Sequence, residues 1–191
     1  MKTLAAILAV GLVAGCATAV PTSNPEVEKL GRWVLRYNGP EIEAALGYRF
    51  ADSSLGDDWM MLDLAVTGAS TDSVEISRDK VWLRTPSGDT LGLPPQEYFA
   101  QSYSRLTPKI QRAVIAADPL DYWAGRGDCG LDFQVAPGSR IAQLSTWVND
   151  RRVCFGRLFF ELPTGIQPGH YTLGIDLQES KVRIPFEIRA Q

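Results

Sequence analysis

The sequence predicts a mainly β domain, an antiparallel β-sandwich that carries a short two-helix insertion. Three observations support this fold class. Apolar residues alternate along most of the chain, Gly and Pro cluster between the alternating stretches, and one stretch changes to a helical period. With 191 residues, of which 45% are hydrophobic and 21% charged, the chain can fill one core and is short for two. This composition excludes collagen-like, coiled-coil and disordered proteins.

The candidate strands are short runs separated by turn residues, and eight to ten such runs are typical of a sandwich. The run at 42–50 alternates from Ile42 to Phe50, although Glu41 to Leu46 could instead begin as a helix. The clearest strands have inward sets that alternate without interruption. In chain order, the remaining candidates are residues 60–66, 74–76, 81–85, 90–93, 131–136, 141–148, 153–162, 171–177 and 182–188.

The helical insertion is predicted at residues 95–117, where apolar residues recur every three or four positions. Pro108 lies inside this stretch, and Thr107 before it can cap a helix that has proline at its first position. We therefore expect two short helices, the second of which ends before Asp118 and Pro119.

The N-terminus has the pattern of an export signal. Lys2 precedes an apolar stretch from Leu4 to Ala14, and Gly15 and Cys16 follow it. The stretch is too short to span a bilayer permanently, because a transmembrane helix needs about 20 apolar residues. We predict a signal peptide at 1–15, a lipidated N-terminus and tether at 16–40, and the sandwich domain at 41–191.

The run LVAGC at residues 12–16 resembles the lipobox of bacterial lipoproteins. The resemblance implies that Cys16 is lipidated and becomes the mature N-terminus. The residue after the cysteine is Ala17 and not Asp, which resembles lipoproteins that are sorted to the outer membrane. It therefore implies a lipid-anchored protein of the bacterial envelope, held at the outer membrane and facing the periplasm. An ordinary secretory signal is the alternative. Residues 17–27 contain two prolines with Ser, Thr and Asn, a composition typical of a tether.

Cys129 and Cys154 remain once Cys16 is lipidated, and an oxidising compartment favours a disulfide between them. Closing that loop would stabilise the fold by about 3 kcal/mol. Two buried free thiols are the alternative. A zinc site is disfavoured because His170 is the only histidine and no CxxC motif is present.

The last strands also carry a resemblance. The segment LFFELP at 158–163, followed by GHYTLGIDL at 169–177, is similar to the final strands of immunoglobulin-like domains in bacterial envelope proteins. The likeness spans residues 42–189 and implies an immunoglobulin-like sandwich. It implies no activity, because sandwich folds host many functions.

Motifs for catalysis or cofactors are weak. Residues 125–130 read GRGDCG, which matches GxGxxG, but a strand and not a helix is predicted after it, so we expect a tight glycine loop and no cofactor. The RGD tripeptide at 126–128 is only a three-letter match. His170 precedes a strand and is expected in a turn, and neither a nucleophile elbow nor a P-loop is present.

With a net charge of −3 and no basic run longer than two residues, nucleic-acid binding is not expected.

Acidic and aromatic residues are the remaining candidates for catalysis, metal binding or ligand contact. Paired carboxylates could serve a glycosidase or hold calcium, although turn positions are the simpler interpretation. These acidic candidates are Asp57, Asp58, Asp118, Asp121, Asp128 and Asp132. The five tryptophans are Trp33, Trp59, Trp82, Trp123 and Trp147. Trp82 is the most informative of them, because Val81 and Leu83 should face the core and Trp82 the opposite side of the strand. There the Trp82 ring is either covered by Phe99 or Tyr103 of the helical insertion or exposed to a ligand.

We therefore expect a membrane-anchored binding or accessory interaction module of the envelope, and not an enzyme. Its expected partners are the membrane, through the acyl chains on Cys16, and an envelope protein. A carbohydrate or cell-wall binding module is the alternative function, and a hydrolytic enzyme is the third.

Overall fold

The computed structural model describes residues 23–116 and 128–190. Twelve strands, two α-helices and one short 3-10 helix (Arg78–Lys80) occupy these residues. In chain order they are β1 (Val27–Lys29), β2 (Val34–Asn38), β3 (Ile42–Gly47), α1 (Arg49–Asp52), β4 (Trp59–Gly68), β5 (Val74–Ser77), β6 (Val81–Arg84), β7 (Thr90–Gly92), α2 (Gln96–Ala116), β8 (Asp128–Gly130), β9 (Ser145–Val148), β10 (Val153–Glu161), β11 (Gly169–Asp176) and β12 (Lys181–Ile188). The mainly β fold class is confirmed.

The strands form three sheets among the described residues. The large sheet has the order β1-β2-β3-β4-β10-β8, the small sheet has the order β12-β11-β6-β7, and β5 pairs with β9 in a two-stranded ribbon. All pairs are antiparallel except β8 with β10, which is parallel. The large and small sheets bury their facing sides in one core, because every second residue of a strand points to the same face.

The disulfide between Cys129 and Cys154 is present, so this prediction is confirmed. The two residues are direct register partners on β8 and β10, with a Cα–Cα distance of 4.3 Å. Cys154 is fully buried. The bridge therefore fastens the edge strand of the large sheet to its neighbour.

The predicted tether at 16–40 is wrong over its second half, because β1 and β2 lie within it. Leu35 and Tyr37 are buried in the main core. The alternation of Trp33, Leu35 and Tyr37 is short, and the Gly31 before it and the Gly39-Pro40 pair after it are typical of loops. The sheet region therefore begins at Val27 and not at residue 41.

The predicted break at Pro108 is also wrong, because α2 is one helix of 21 residues with this proline inside it. Thr107 does not cap a second helix; its hydroxyl donates to the carbonyl of Tyr103 at 2.9 Å. A proline within a helix costs one backbone hydrogen bond and a steric clash. Here the buried apolar face of Phe99, Leu106 and Ala113 continues across it and offsets that cost.

Several strand limits differ from the predicted ones. The run at 42–50 is a strand only to Gly47, and Phe50 lies in α1. Residues 131–136 lie beyond the short strand β8 and form no strand themselves. β9 begins at Ser145, so the first residues of the predicted strand at 141–148 lie in a loop. In the part of the chain that is described, no helix is long and apolar enough to cross a membrane.

Candidate functional site

A cleft of about 430 Å³ lies between α2 and the outer face of the large sheet. We call it the α2 cleft. Aromatic and aliphatic side chains make up most of its lining, and a few polar side chains converge on it. The lining residues are Asp63, Leu64, Phe99, Tyr103, Ile110, Gln134, Ala136, Phe155, Gly156, Arg157 and Phe159. A cleft of this size and character is typical of a site for a small molecule.

The floor of the α2 cleft comes from β10 and β4. Phe155, Arg157 and Phe159 are alternate residues of β10 and therefore share one face of the sheet. Arg157 is the register partner of Asp63 on β4, and its Nε donates to Asp63 Oδ1 at 3.0 Å. Both side chains are partly exposed. The floor thus carries one ion pair between two phenylalanines on the same strand.

The roof of the α2 cleft is the helix itself. Phe99, Leu106 and Ala113, spaced by seven residues, are buried in a cluster with residues of the large sheet. The ring centroids of Phe99 and Phe159 are 4.7 Å apart. Tyr103 and Ile110 lie on the adjacent stripe of the helix and are only partly buried. The buried stripe holds the helix on the sheet, and the second stripe faces the open space of the cleft.

One wall of the cleft is the segment 131–136, which two glutamines hold in place. The side chain of Gln134 donates to the carbonyl of Phe159 at 3.1 Å and accepts from its amide at 2.9 Å. Gln96, at the start of α2, makes the same pair of bonds with the backbone of Val135, at 2.8 and 3.0 Å. The side-chain amide of Gln134 thus bonds the N–H and the carbonyl of Phe159 in β10, as the backbone of a neighbouring strand would. The wall is therefore fixed both to the sheet and to the helix.

Ion pairs fasten the outer side of α2. Lys109 Nζ lies 3.1 Å from Asp57 Oδ1, and Arg105 Nη2 lies 3.3 Å from Asp58 Oδ2. These two carboxylates, considered as candidates for catalysis or calcium binding, are thus partners of helix cations.

At the N-terminal part of α2, the Tyr98 hydroxyl donates to Glu161 Oε1 at 2.6 Å. This hydrogen bond raises the pKa of Tyr98, because it favours the neutral phenol that donates it.

The other acidic candidates do not assemble into a site among the described residues. Asp132 Oδ2 pairs with Arg140 Nη1 at 3.1 Å. Asp128 contributes backbone to β8, whereas Asp118 and Asp121 lie outside the described residues. Within residues 23–116 and 128–190, no group of three or more His, Cys, Asp or Glu side chains is arranged to hold a metal ion.

Trp82 lies on the outer face of the small sheet, opposite Val81 and Leu83 as the alternation predicts. Its ring lies against Gly174, where an added Cβ would be 2.3 Å from the indole, and the guanidinium of Arg183 lies 4.5 Å from the ring centroid. Trp82 is half-buried. Its cover is thus Arg183 and not Phe99 or Tyr103, which pack on the large sheet.

Asp176 joins these two side chains. It accepts from Trp82 Nε1 at 3.0 Å and from Arg183 Nη2 at 2.6 Å. Burial of the carboxylate acts to raise its pKa, but the two hydrogen bonds and the charge of Arg183 outweigh burial and hold that pKa below its usual value. The polar end of Trp82 is therefore already satisfied within the chain.

The remaining sequence candidates are dispersed. Trp59 is fully buried beneath α2, and Trp147 is exposed on β9. Trp33 donates to Asp52 Oδ2 at 2.8 Å and lines a smaller, polar pocket of about 190 Å³ together with the exposed His170. Cys16, Trp123 and the first residues of the glycine motif at 125–130 lie outside the described residues.

The residues of the α2 cleft are those that sequence reasoning missed. The signal for the floor is the run FGRLF at 155–159, which places a charge between two aromatic residues on one face. Asp63 interrupts an otherwise apolar strand in the same way. Neither pattern shows that Arg157 and Asp63 are partners, because their pairing follows only from the register of β4 against β10.

The residues that line the α2 cleft can bind a ligand noncovalently. Its apolar walls can bury the body of a ligand, and the ion pair offers both donors and acceptors to a polar group.

No protein-family model and no curated protein matches the sequence. Among solved structures, the chain is similar to the yjhA protein from Bacillus subtilis, with 9% sequence identity, over 73% of this chain and 76% of that chain, at a TM-score of 0.37. A TM-score of this size does not establish a common fold.

Proposed function

We propose that the mature chain is a lipid-anchored protein of the bacterial envelope that acts by noncovalent binding, and that the α2 cleft is its binding site. The ligand is an amphipathic small molecule with an apolar body and one polar group. Its body packs between Tyr103 and Ile110 on the roof and the phenylalanines of the floor, and its polar group meets the ion pair of Arg157 and Asp63.

The observation that carries this proposal is the composition of the cleft. Six aromatic or branched side chains contribute to its lining, together with the ion pair and one glutamine whose amide is already bonded to backbone. Burying apolar ligand surface contributes about 25 cal/mol per Å². A few convergent polar groups in an apolar cleft fix the orientation of a ligand.

The anchoring part of the proposal is supported by the resemblance of residues 12–16 to a lipobox. The disulfide between Cys129 and Cys154 agrees with an oxidising compartment such as the periplasm. We also propose an immunoglobulin-like sandwich as the architecture. Its support is the single core shared by the large and small sheets.

A binding assay with the apolar dye N-phenylnaphthylamine tests the proposed site. The wild-type chain should bind it saturably, with increased dye fluorescence. Ala136→Phe fills the cleft from its rim and should weaken binding at least tenfold. Gln111→Phe adds the same ring at an exposed position of α2 and is the matched control. Equal binding by all three proteins would show that the dye does not occupy the cleft.

A further inference from the structure

Three large apolar side chains lie exposed on one short stretch of chain. Ile141 is 90% exposed, Leu144 is 80% exposed and Trp147 is 52% exposed. The first two lie in the loop before β9, and Trp147 lies on the outward side of β9, between the buried Thr146 and Val148. Single exposed apolar residues are ordinary, but three within seven residues mark a contact surface. We call these three residues the 141–147 patch.

The charges around the 141–147 patch nearly balance. The cations are Arg140 before it and the exposed Arg151 and Arg152 in the turn after β9. The acidic groups are Asp132, which pairs with Arg140, Asp150 in the same turn, and Glu75, the register partner of Trp147. A surface without excess charge attracts neither an anionic nor a cationic partner at long range. Contact at this patch would therefore depend on apolar burial.

The position of the patch follows from the register of the large sheet. One row of paired residues crosses five strands: Val27, Tyr37, Ala44, Val66 and Cys154. Because the four pairs are antiparallel, β1 and β10 run in the same direction. The residues before β1 and the turn before β10 therefore lie at the same end of the sheet.

β9 leads directly into that turn. The backbone of Asn149 accepts from the amide of Gly68 at 3.1 Å, and the amide of Asp150 donates to Ser70 at 2.8 Å. Trp147 thus lies close to the end of the sheet at which the N-terminal segment leaves it. With strands about 4.8 Å apart, the turn is about 19 Å from β1.

The length of the N-terminal segment limits the distance to the membrane. Asn24 is already held by the fold, since its side chain donates to the carbonyl of Arg183 at 2.7 Å. If Cys16 is anchored, the residues from 16 to 23 therefore span at most about 28 Å, since each residue extends the chain by up to about 3.5 Å. The end of the sheet that carries β1 and the turn before β10 is then the end held nearest the bilayer.

We propose that the 141–147 patch contacts the phospholipid bilayer to which the chain is anchored, with Trp147 at the level of the headgroups and Ile141 and Leu144 inserted beside it. Tryptophan favours the membrane–water interface because its ring is apolar and its N–H is polar. The contact is driven by apolar burial, so it is the same on zwitterionic and anionic bilayers and does not weaken with salt. This inference rests on the proposed anchoring.

The test uses the mature lipidated chain reconstituted in phosphatidylcholine vesicles, with or without brominated acyl chains that quench tryptophan at short range. Flotation of the vesicles first shows whether the chain is anchored. Because the chain has five tryptophans, the Trp147 signal is the difference between wild type and Trp147→Phe. We expect bromolipid to quench this difference signal, at low and high salt alike.

Two further variants make the test specific. The double variant Ile141→Ser/Leu144→Ser changes only exposed side chains, so it should fold normally and lose at least half of the quenching. Leu30→Ser, an exposed apolar residue outside the patch, is the matched control and should leave quenching unchanged.

The outcomes separate this inference from the proposed function. A chain that fails to float with the vesicles refutes the anchoring, and this inference with it. A chain that floats but shows no quenching of the Trp147 signal refutes this inference alone. The 141–147 patch would then be a contact site for a protein partner and not for the bilayer. Quenching that is present at low salt and disappears at high salt overturns the apolar contact.

Discussion

Gln134 should be the most costly polar residue to replace in the wall of the α2 cleft. Its side chain bonds both the amide and the carbonyl of Phe159, and both bonds are buried. Gln134→Met keeps the length of the side chain but removes both partners. An unpaired buried backbone group costs about 1–3 kcal/mol, so two of them, partly offset by the more apolar methionine, should lower the free energy of unfolding by about 3 kcal/mol.

Gln96→Met is the matched control, because Gln96 makes the same two bonds to the backbone of Val135 in a partly exposed setting. Water can replace the lost partners there, so we expect a loss of only about 1 kcal/mol. Urea denaturation of both variants, with unchanged m-values, measures the two losses. A loss for Gln134→Met that does not exceed that of Gln96→Met would refute the reasoning that burial sets the cost.

Three further predictions concern the bridge, a carboxylate and the anchor. Replacing Cys129 and Cys154 by alanine should lower the free energy of unfolding by about 3 kcal/mol, because the unfolded chain regains loop entropy; an unchanged denaturation midpoint would contradict this. The pKa of Asp176 is lowered in the folded state, so its advantage over Asp176→Asn should be present above its ordinary pKa of 3.8 and disappear as the pH falls further. Thermal unfolding of both proteins at several pH values measures this advantage, and an advantage that grows in acid would contradict the sign. Cys16→Ala should move the chain from the membrane to the soluble fraction, and continued sedimentation with membranes would contradict the anchor.

Much of the fold could be predicted from alternation alone. The clearest runs, at 171–177 and 182–188, pair as β11 and β12, because each has a purely apolar side facing the core. The predictions failed where a local signal competed with packing. Pro108 indicates a break, yet the buried stripe of α2 passes it. Gly and Pro near both ends of β2 indicate a loop, yet Tyr37 of this short strand is buried.

The site was less predictable than the fold. Its ion pair joins residues 94 positions apart, and its wall depends on a glutamine that takes the place of a strand. Neither contact has a local sequence pattern, because both depend on which strands become neighbours. The disulfide was predictable because only two cysteines remained to pair after the proposed lipidation.

Native mass spectrometry tests the central claim most directly. The chain is released from its own membranes in mild detergent and measured without denaturation, beside Ala136→Phe treated in the same way. We expect the wild type to carry one noncovalently bound amphipathic molecule and the variant to carry none. A wild-type chain without a bound molecule, or a variant that retains the same molecule, would contradict the assignment of the α2 cleft as the binding site.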